Sequence, residues 1–314
     1  MSERRRLDIV IVNWNSGSML ERCLDSVASV NDPSIVGDVT VVDNASDDGS
    51  ADHLGPHGLL KIRRCRNASN LGFAKACNAG VRYGSADYVL FLNPDMRLES
   101  DSLAAPLAVM DKAENSSVGI VGIQLVNSAG AVWRSCARFP TAGSMAMRIF
   151  GLDAVAPRWF PSYPMVEWDH AHSRDVDHVI GAFFLVRRRL FESLGGFDER
   201  FFMYLEDLDF SLRARQAGWR STFLADVRAQ HVGGGTSAQV KTARLFYSLK
   251  SRLLYVRKHF APLPAASLMA GTLLLEPVPR LVRALARANI SEAGETVGAF
   301  AMLWRDLLTA KRSR

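Results

Sequence analysis

The amino-acid sequence predicts an α/β fold: a doubly wound, mainly parallel central sheet flanked by helices. Three observations carry this reading. The runs LDIVIV (7–12), DVTVVD (38–43), LLKIRRC (59–65) and DYVLFL (87–92) are short, apolar and rich in β-branched residues, as buried strands are. Between the first pair, Met19, Leu20, Cys23, Leu24 and Val27 recur at helical spacing, and between the last pair Phe73, Ala76, Cys77, Gly80 and Val81 do. Strands alternating with helices imply a parallel sheet covered on both faces. Each of the three most polar junctions, Asn13-Trp14-Asn15, Asp43-Asn44-Ala45-Ser46 and Asn93-Pro94-Asp95, follows a strand at its C-terminal end. In open α/β sheets the ligand crevice lies there, so the three converge on one cleft.

Taken in order, the first junction, NWNSGS, has only Gly17. It lacks the three spaced glycines that cradle a pyrophosphate in dinucleotide folds, so a diphosphate bound here needs a cation to neutralise it. Asp43 could accept from the N–H of a pyrimidine ring, while the stretch DNASDDGS equally suits a turn whose side chains bond their own backbone. Asn70 can cap the second helix, and Gly72 lets the backbone approach a ligand. From 118 onward the pattern becomes irregular: a strand-like VGIVGIQLV, a proline- and aromatic-rich stretch from Trp133 to Trp168, then VDHVIGAFFLVRR. A long loop carrying aromatics often covers a site. The strand-like RSTFLADVRAQH ends at His231, ahead of Gly233-Gly234-Gly235.

Two acidic stations, Asn93-Pro94-Asp95 and Glu206-Asp207-Leu208-Asp209, supply the groups that metal-assisted transfer requires. Asp95 with His231 can hold a hard divalent cation whose shell is completed by substrate phosphates and water, although a lone histidine more often has a structural role. Leu205, Leu208 and Leu212 form one stripe of a helix. Asp209 falls close to that stripe and needs a buried partner, with Arg213 at i+4, whereas Asp207 points the opposite way. That phase assigns Asp207 as general base, Asp209 to the fold, and Glu206 either to helix capping or to an acceptor hydroxyl. The competing reading is that all three acids complement the helix dipole.

The chain has 314 residues, 48% of them hydrophobic, enough to bury a full core and to exclude disorder for most of it. Its net charge of +6 is uneven: residues 241–314 hold 13 Lys+Arg against 4 Asp+Glu, a charge of +9, leaving −3 for residues 1–240. The expected division is therefore a catalytic domain over 1–240 and a basic, amphipathic helical region over 241–314. In RLFYSLKSRLLYVRKHF (244–260) cations alternate with apolar faces, a pattern that favours a membrane surface over nucleic acid. The uncharged run 260–275 has 16 residues and two prolines, short for a bilayer span. The start, MSERRR and a six-residue apolar strand, is too short for a signal-peptide core. Four cysteines without paired spacing indicate neither zinc site nor disulfide framework, so a reduced, cytosolic setting is expected.

Together IVNWNS (11–16), VVDNASDDGS (41–50), NLGFAKACNAG (70–80), FLNPD (91–95), the block VIGAFFLVRRRLFESLGGFDERFFMYLEDLDFSLRARQAGW (179–219) and the late His231 resemble the family 2 glycosyltransferases, most closely their bacterial rhamnosyltransferase branch. The resemblance implies a GT-A fold, a nucleotide-diphosphate sugar donor (dTDP-rhamnose or a UDP-sugar), a divalent metal (Mg2+ or Mn2+) and inversion by direct displacement. By similarity, Asp43 reads the base, and Asn13, Asn15, Asn70, Gly72, Phe73 and Asn78 line the nucleotide-sugar site. Asn93 and Asp95 stand where the family has its Asp-x-Asp motif, Asp207 is the base with Glu206 beside it, and His231 reaches the metal. Asn93 departs from the usual carboxylate and leaves one fewer negative charge at the cation. The acceptor implied is a lipid-linked or cell-envelope saccharide at the cytoplasmic face of the inner membrane, met by the basic tail in a peripheral attachment that serves cell-wall polysaccharide synthesis. The alternatives are a noncatalytic sugar-nucleotide-binding or scaffold protein on the same fold, and a nucleic-acid role resting on the tail alone.

Overall fold

The structure is a computed structural model that describes residues 6–312 except 53, 157, 161 and 234–239. Gly234 and Gly235 lie outside the described residues. The chain begins β1 (Leu7–Asn13), α1 (Met19–Ala28), β2 (Val36–Asp43), β3 (Lys61–Arg66), α2 (Phe73–Val81), β4 (Tyr88–Leu92). It continues β5 (Met96–Leu98), α3 (Ala104–Asp111), β6 (Val118–Val126), β7 (Val132–Trp133), β8 (Cys136–Ala137), α4 (Ala142–Ile149) and α5 (Leu152–Val155). Then follow β9 (Arg174–Val176), β10 (His178–Val179), β11 (Phe183–Arg187), α6 (Arg188–Ser193), α7 (Glu206–Gln216) and β12 (Arg220–His231). Four helices close it: α8 (Lys241–His259), α9 (Pro262–Ala270), α10 (Pro277–Ala286) and α11 (Ile290–Arg312).

The central sheet runs in the order β3-β2-β1-β4-β11-β6-β12-β5, with β7 on β6 and β9 on β12. β3, β2, β1 and β4 are parallel, as are β6 and β12. β11 is inserted antiparallel between β4 and β6, so the sheet is mixed and mainly parallel. All nine residues of β6 and all five of β4 are buried, because helices cover both faces and leave no polar alternation to be selected. The stripe Leu20, Cys23, Leu24, Val27 of α1 faces the core. On α2, a Cβ at Gly80 would stand 2.5 Å from Val10 Cγ1, so glycine sets the close approach of helix to sheet. Beneath the sheet start, buried Asp8 pairs with Arg188 at 2.6 Å and accepts from the Ala86 and Asp38 amides. That satisfies a charge which would otherwise be costly in the interior.

The fold divides into two compact units. The first takes residues 1–139, 168–202 and 206–236 and holds the sheet; the second takes 140–167, 203–205 and 237–314. In the second unit, Phe246, Leu249 and Leu253 of α8 pack with Ala299, Phe300 and Leu303 of α11. This corrects the reading of 244–260 as a lipid-facing segment, since its apolar face is used inside the protein. The exposed apolar side chains lie further on: Leu263, Leu274, Val278, Val282 and Leu285. The run 260–275 is also longer than its composition suggested. A π-helical turn over 271–275, with Glu276 N donating to Gly271 O at 3.0 Å, carries α9 into α10. Pro277 sits at the first position of α10, where the missing N–H costs nothing. The result is a 25-residue helical run, 262–286, long and apolar enough to cross a bilayer by length and composition. Glu276, 1% exposed, bonds Arg252 and accepts from Arg280 at 2.8 Å, which anchors that run within its unit.

Candidate functional site

The first two polar junctions meet at the C-terminal ends of β1 and β2 in one hydrogen-bonded cluster. Asn13, fully buried, donates through Nδ2 to Asp43 Oδ1 (3.2 Å), Ser46 Oγ (3.0 Å) and Ser50 Oγ (2.9 Å). Asn15 accepts from the Asp47 amide at 2.9 Å, and its own amide donates to Ser46 Oγ at 3.0 Å. Asp43 has a further partner in Arg66, 3.4 Å away. Asn44 connects this loop to the next: it donates to Asn70 Oδ1 at 2.8 Å and to Gly72 O at 3.2 Å, and accepts from Leu71 N at 3.0 Å. Asn70 in turn accepts from Gly72 N at 3.0 Å. The Asx-turn chemistry legible in DNASDDGS is therefore present, but it is used to hold two loops together as well as to turn one.

Gly72 (φ +84°) allows a contact that no other residue could make: a Cβ there would lie 2.3 Å from Phe202 O. The half-buried Phe73 donates its amide to that same oxygen at 2.6 Å. Asn78 does not join the cluster. Its amide bonds Phe197 in both directions, 2.8 Å to O and 2.9 Å from N, and reaches Glu199 at 3.1 Å, so it holds the loop that leads toward α7.

The second station is assembled by strand pairing. In the antiparallel β5–β12 ladder Met96 lies opposite His231, which sets Asp95 against the histidine. Asp95 Oδ1 stands 3.4 Å from His231 Nε2, and Gly233 N donates to Oδ2 at 3.1 Å. The Trp133 ring meets His231 edge-on at 5.2 Å. His231 is 7% exposed and its Nδ1 has no hydrogen-bond partner. Two ligands at adjacent corners of an octahedral cation stand about 3 Å apart, so Asp95 and His231 fit as a pair of donors for Mg2+ or Mn2+. No third His, Cys, Asp or Glu joins them among the described residues, which leaves the remaining corners to other oxygens. Asn93, half-buried, donates its backbone amide to Ala182 O at 3.0 Å.

The same segment receives the base candidate. Gly181 N donates to Asp207 Oδ2 at 2.7 Å, and Leu208 N to Oδ1 at 2.8 Å. A Cβ on Gly181 would come within 3.0 Å of that carboxylate. Asp207 keeps a side-chain exposure of 15%, whereas Asp209 has 0% and takes Arg213 Nε at 2.8 Å. Helix phase thus separates the two acids as the leucine stripe implied. Glu206 points inward, 5% exposed, with Oε2 unpartnered. Burial, reinforced by the Asp207 charge, raises its pKa well above the ordinary carboxyl range and so favours its neutral form. Tyr204 (φ +69°) and Leu205 (φ +65°) lead into α7 in the left-handed region. Asn15 and Ala45 share that conformation, so backbone strain concentrates where the polar residues do.

Comparison with known proteins decides the family: the glycosyl transferase family 2 model matches residues 8–195. The chain belongs to glycosyl transferase family 2. This family 2 chain is 28% identical over 269 residues to the N-acetylglucosaminyl-diphospho-decaprenol L-rhamnosyltransferase of Mycobacterium tuberculosis, covering 80% of the chain and 83% of that protein. It is 26% identical to the rhamnosyltransferase WbbL of Escherichia coli, over 60% of the chain and 70% of that protein. Among solved structures, the mannosyltransferase from Pyrobaculum calidifontis in complex with GDP-Man and Mn2+ superposes with a TM-score of 0.59 at 18% identity, covering 97% and 88% of the two chains. That likeness establishes the GT-A fold expected from the sequence. The amide of Gly181 that holds Asp207 has one visible signal in the sequence, a glycine interrupting VDHVIGAFFLVRR.

Proposed function

We propose that this glycosyltransferase is an inverting, divalent-metal-dependent enzyme that transfers a sugar, rhamnose on the precedent of its relatives, from a nucleotide diphosphate to a hydroxyl of a lipid-linked or cell-envelope saccharide. The observation that carries the reading is Asp207: partly open, fixed by Gly181 N at 2.7 Å, at the start of a helix preceded by two left-handed residues. A carboxylate so held can take the proton of an acceptor hydroxyl as its oxygen attacks the anomeric carbon from the face opposite the leaving group. Asp43, Asn13 and Asn15 hold the nucleoside end, with Asn44, Asn70, Gly72 and Phe73 extending that wall, and Asn78 supports it from behind. Asp95 and His231 would hold the cation, with Asn93 beside them, and a bound Mg2+ or Mn2+ would offset charge on the departing diphosphate.

Residues 1–240 are the catalytic part in this reading, and 241–314 the part that meets the inner leaflet, on its cytoplasmic face, where a lipid-linked acceptor lies. Exposed Leu274 (71%) and Val282 (60%) with a net charge of +9 support that attachment. The test is Asp207→Asn assayed with dTDP-rhamnose and UDP-sugars in Mg2+ or Mn2+. Transfer should fall by about 10²–10⁴-fold, the range for loss of a general base, with nucleotide binding unchanged. Retained transfer would overturn the assignment of the base.

A further inference from the structure

We propose that His178 is the positioning residue of the base: its Nε2 receives the proton that Asp207 takes from the acceptor, so that Asp207, His178 and Ser211 form one proton-handling triad. The proposal rests on the Asp207 reading above and adds a group that the reading does not contain.

The geometry starts from Ser211. Its hydroxyl donates to Asp207 O, one turn back on α7, at 2.9 Å. A hydroxyl has one proton to give. With that proton on Asp207 O, Ser211 Oγ, 3.0 Å from His178 Nδ1, accepts from that nitrogen. The assignment that keeps both Ser211 bonds is the Nδ1–H tautomer, with Nε2 bare 3.6 Å from Asp207 Oδ2. Two lone-pair atoms thus face each other beside buried His178 (4% exposed) and Ser211 (1% exposed), with room for one proton between them. Gaps of this length between catalytic partners commonly tighten when substrate binds.

The surroundings keep that place empty until it is needed. Burial lowers the imidazole pKa from its ordinary value, opposed by the charges of Asp207 and Asp177, so the ring is neutral before reaction. Of the other charged groups on the elements packed around it, Arg215 of α7 is tied to Asp177 at 3.1 Å, Asp209 and Arg213 of α7 pair with each other at 2.8 Å, and Glu206 of α7 is buried with its pKa raised. His231 of β12 faces Asp95 at 3.4 Å, and Cys136 of β8 is a neutral thiol with its pKa pushed up to about 12. On β12, Arg220 turns to Asp175 at 2.6 Å, while Asp226 and Arg228 are exposed. The balanced step is then as follows. The acceptor O–H bond breaks and its oxygen pair forms the new bond to the anomeric carbon, while the bond from that carbon to the diphosphate breaks and its pair leaves with the diphosphate. The proton passes to Asp207 Oδ2 and on to His178 Nε2, giving an imidazolium between two carboxylates. It is lost to water after product departs.

The experiment has two arms on the full chain. First, 15N NMR of the histidine rings reads the tautomer directly: His178 should be Nδ1–H in the wild type and should lose that preference in Ser211→Ala. Second, kcat/KM for transfer to a soluble acceptor is followed against pH in the wild type, His178→Phe, His178→Gln and Asp207→Asn, each checked by thermal melting and nucleotide binding. The coupled pair sets the acidic limb of the wild type. Without the imidazole the limb is left to carboxyl groups, so both His178 variants should show that limb moved and a plateau lowered by at least about tenfold. An Nε2–H tautomer in the wild type, or an acidic limb unmoved in a folded His178 variant while Asp207→Asn is inactive, overturns the relay and leaves the base in place. Wild-type transfer by Asp207→Asn overturns both.

Discussion

Asp207 and Asp209 are two residues apart and have opposite surroundings, because a helix turns a side chain by about 100° per residue. Asp209 is fully buried against Arg213, whose guanidinium also donates to Leu194 O (2.9 Å) and Gly196 O (2.8 Å). Removing the carboxylate charge leaves a largely buried cation with carbonyls and the Phe210 ring as its partners, and breaking such a pair from one side costs up to about 3 kcal/mol. Asp209→Asn should therefore lower the urea midpoint sharply and reduce activity only in proportion to the folded fraction. Asp207→Asn should do the reverse, losing turnover at a smaller cost in stability, about 1 kcal/mol for the one backbone amide that its NH2 cannot accept from. If both variants fold normally and both are inactive, the division of roles is wrong. The leucine stripe made this contrast legible in the sequence, because phase within one helix is a local property. The partners of Asp207 were illegible: Gly181 lies 26 residues away and His178 29 away, and only tertiary folding brings them to it.

At the scale of elements, long runs were readable and short joints were not. The first four strands and the two helices between them were signalled by β-branched clusters and by 3.6-residue spacing, both of which report one buried surface. β5, with three residues, carries too few side chains to show a period, yet its pairing with β12 is what brings Asp95 to His231. The joint between α2 and the chain ahead of α7 is similar. Its signal was Gly72, read as a place where backbone approaches a ligand, and the structure shows backbone there as well: Phe202 O lies 2.3 Å from a would-be Cβ. Gly72→Ala adds that clash to a φ of +84°, and such strain costs about 1–3 kcal/mol before the neighbour moves. The expected outcome is a variant less stable by about 2 kcal/mol or more in urea unfolding, with the loss appearing also as weaker nucleotide-sugar binding, because Asn44 and Asn70 bond the same residue. Unchanged stability would mean that the α2 start can shift without consequence.

Across the whole chain, charge is segregated: −3 for residues 1–240 and +9 for 241–314. The sequence displayed that asymmetry but misdirected the apolar contribution to α8, since amphipathic periodicity tells that a face will be covered and not by what. With α8 packed on α11, the attachment reading rests on the run 262–286, where Leu274 and Leu275 are 71% and 49% exposed, and on exposed cations such as Arg257, Arg287 and Arg305. Each leucine moved from water into the acyl boundary contributes on the order of 1.5 kcal/mol or more, and each cation near an anionic surface about 1 kcal/mol. Leu274→Glu with Leu275→Glu should thus reduce flotation with vesicles containing anionic lipid by more than about tenfold. Raising salt to 1 M shortens the screening length to about 3 Å and should weaken, without abolishing, wild-type flotation, because the leucine contribution does not depend on ionic strength. Turnover on a short, soluble acceptor should be the same in the double variant and the wild type. A wild-type protein that remains with the soluble fraction at low salt would remove the membrane from the account and leave the family 2 chemistry of the first unit untouched.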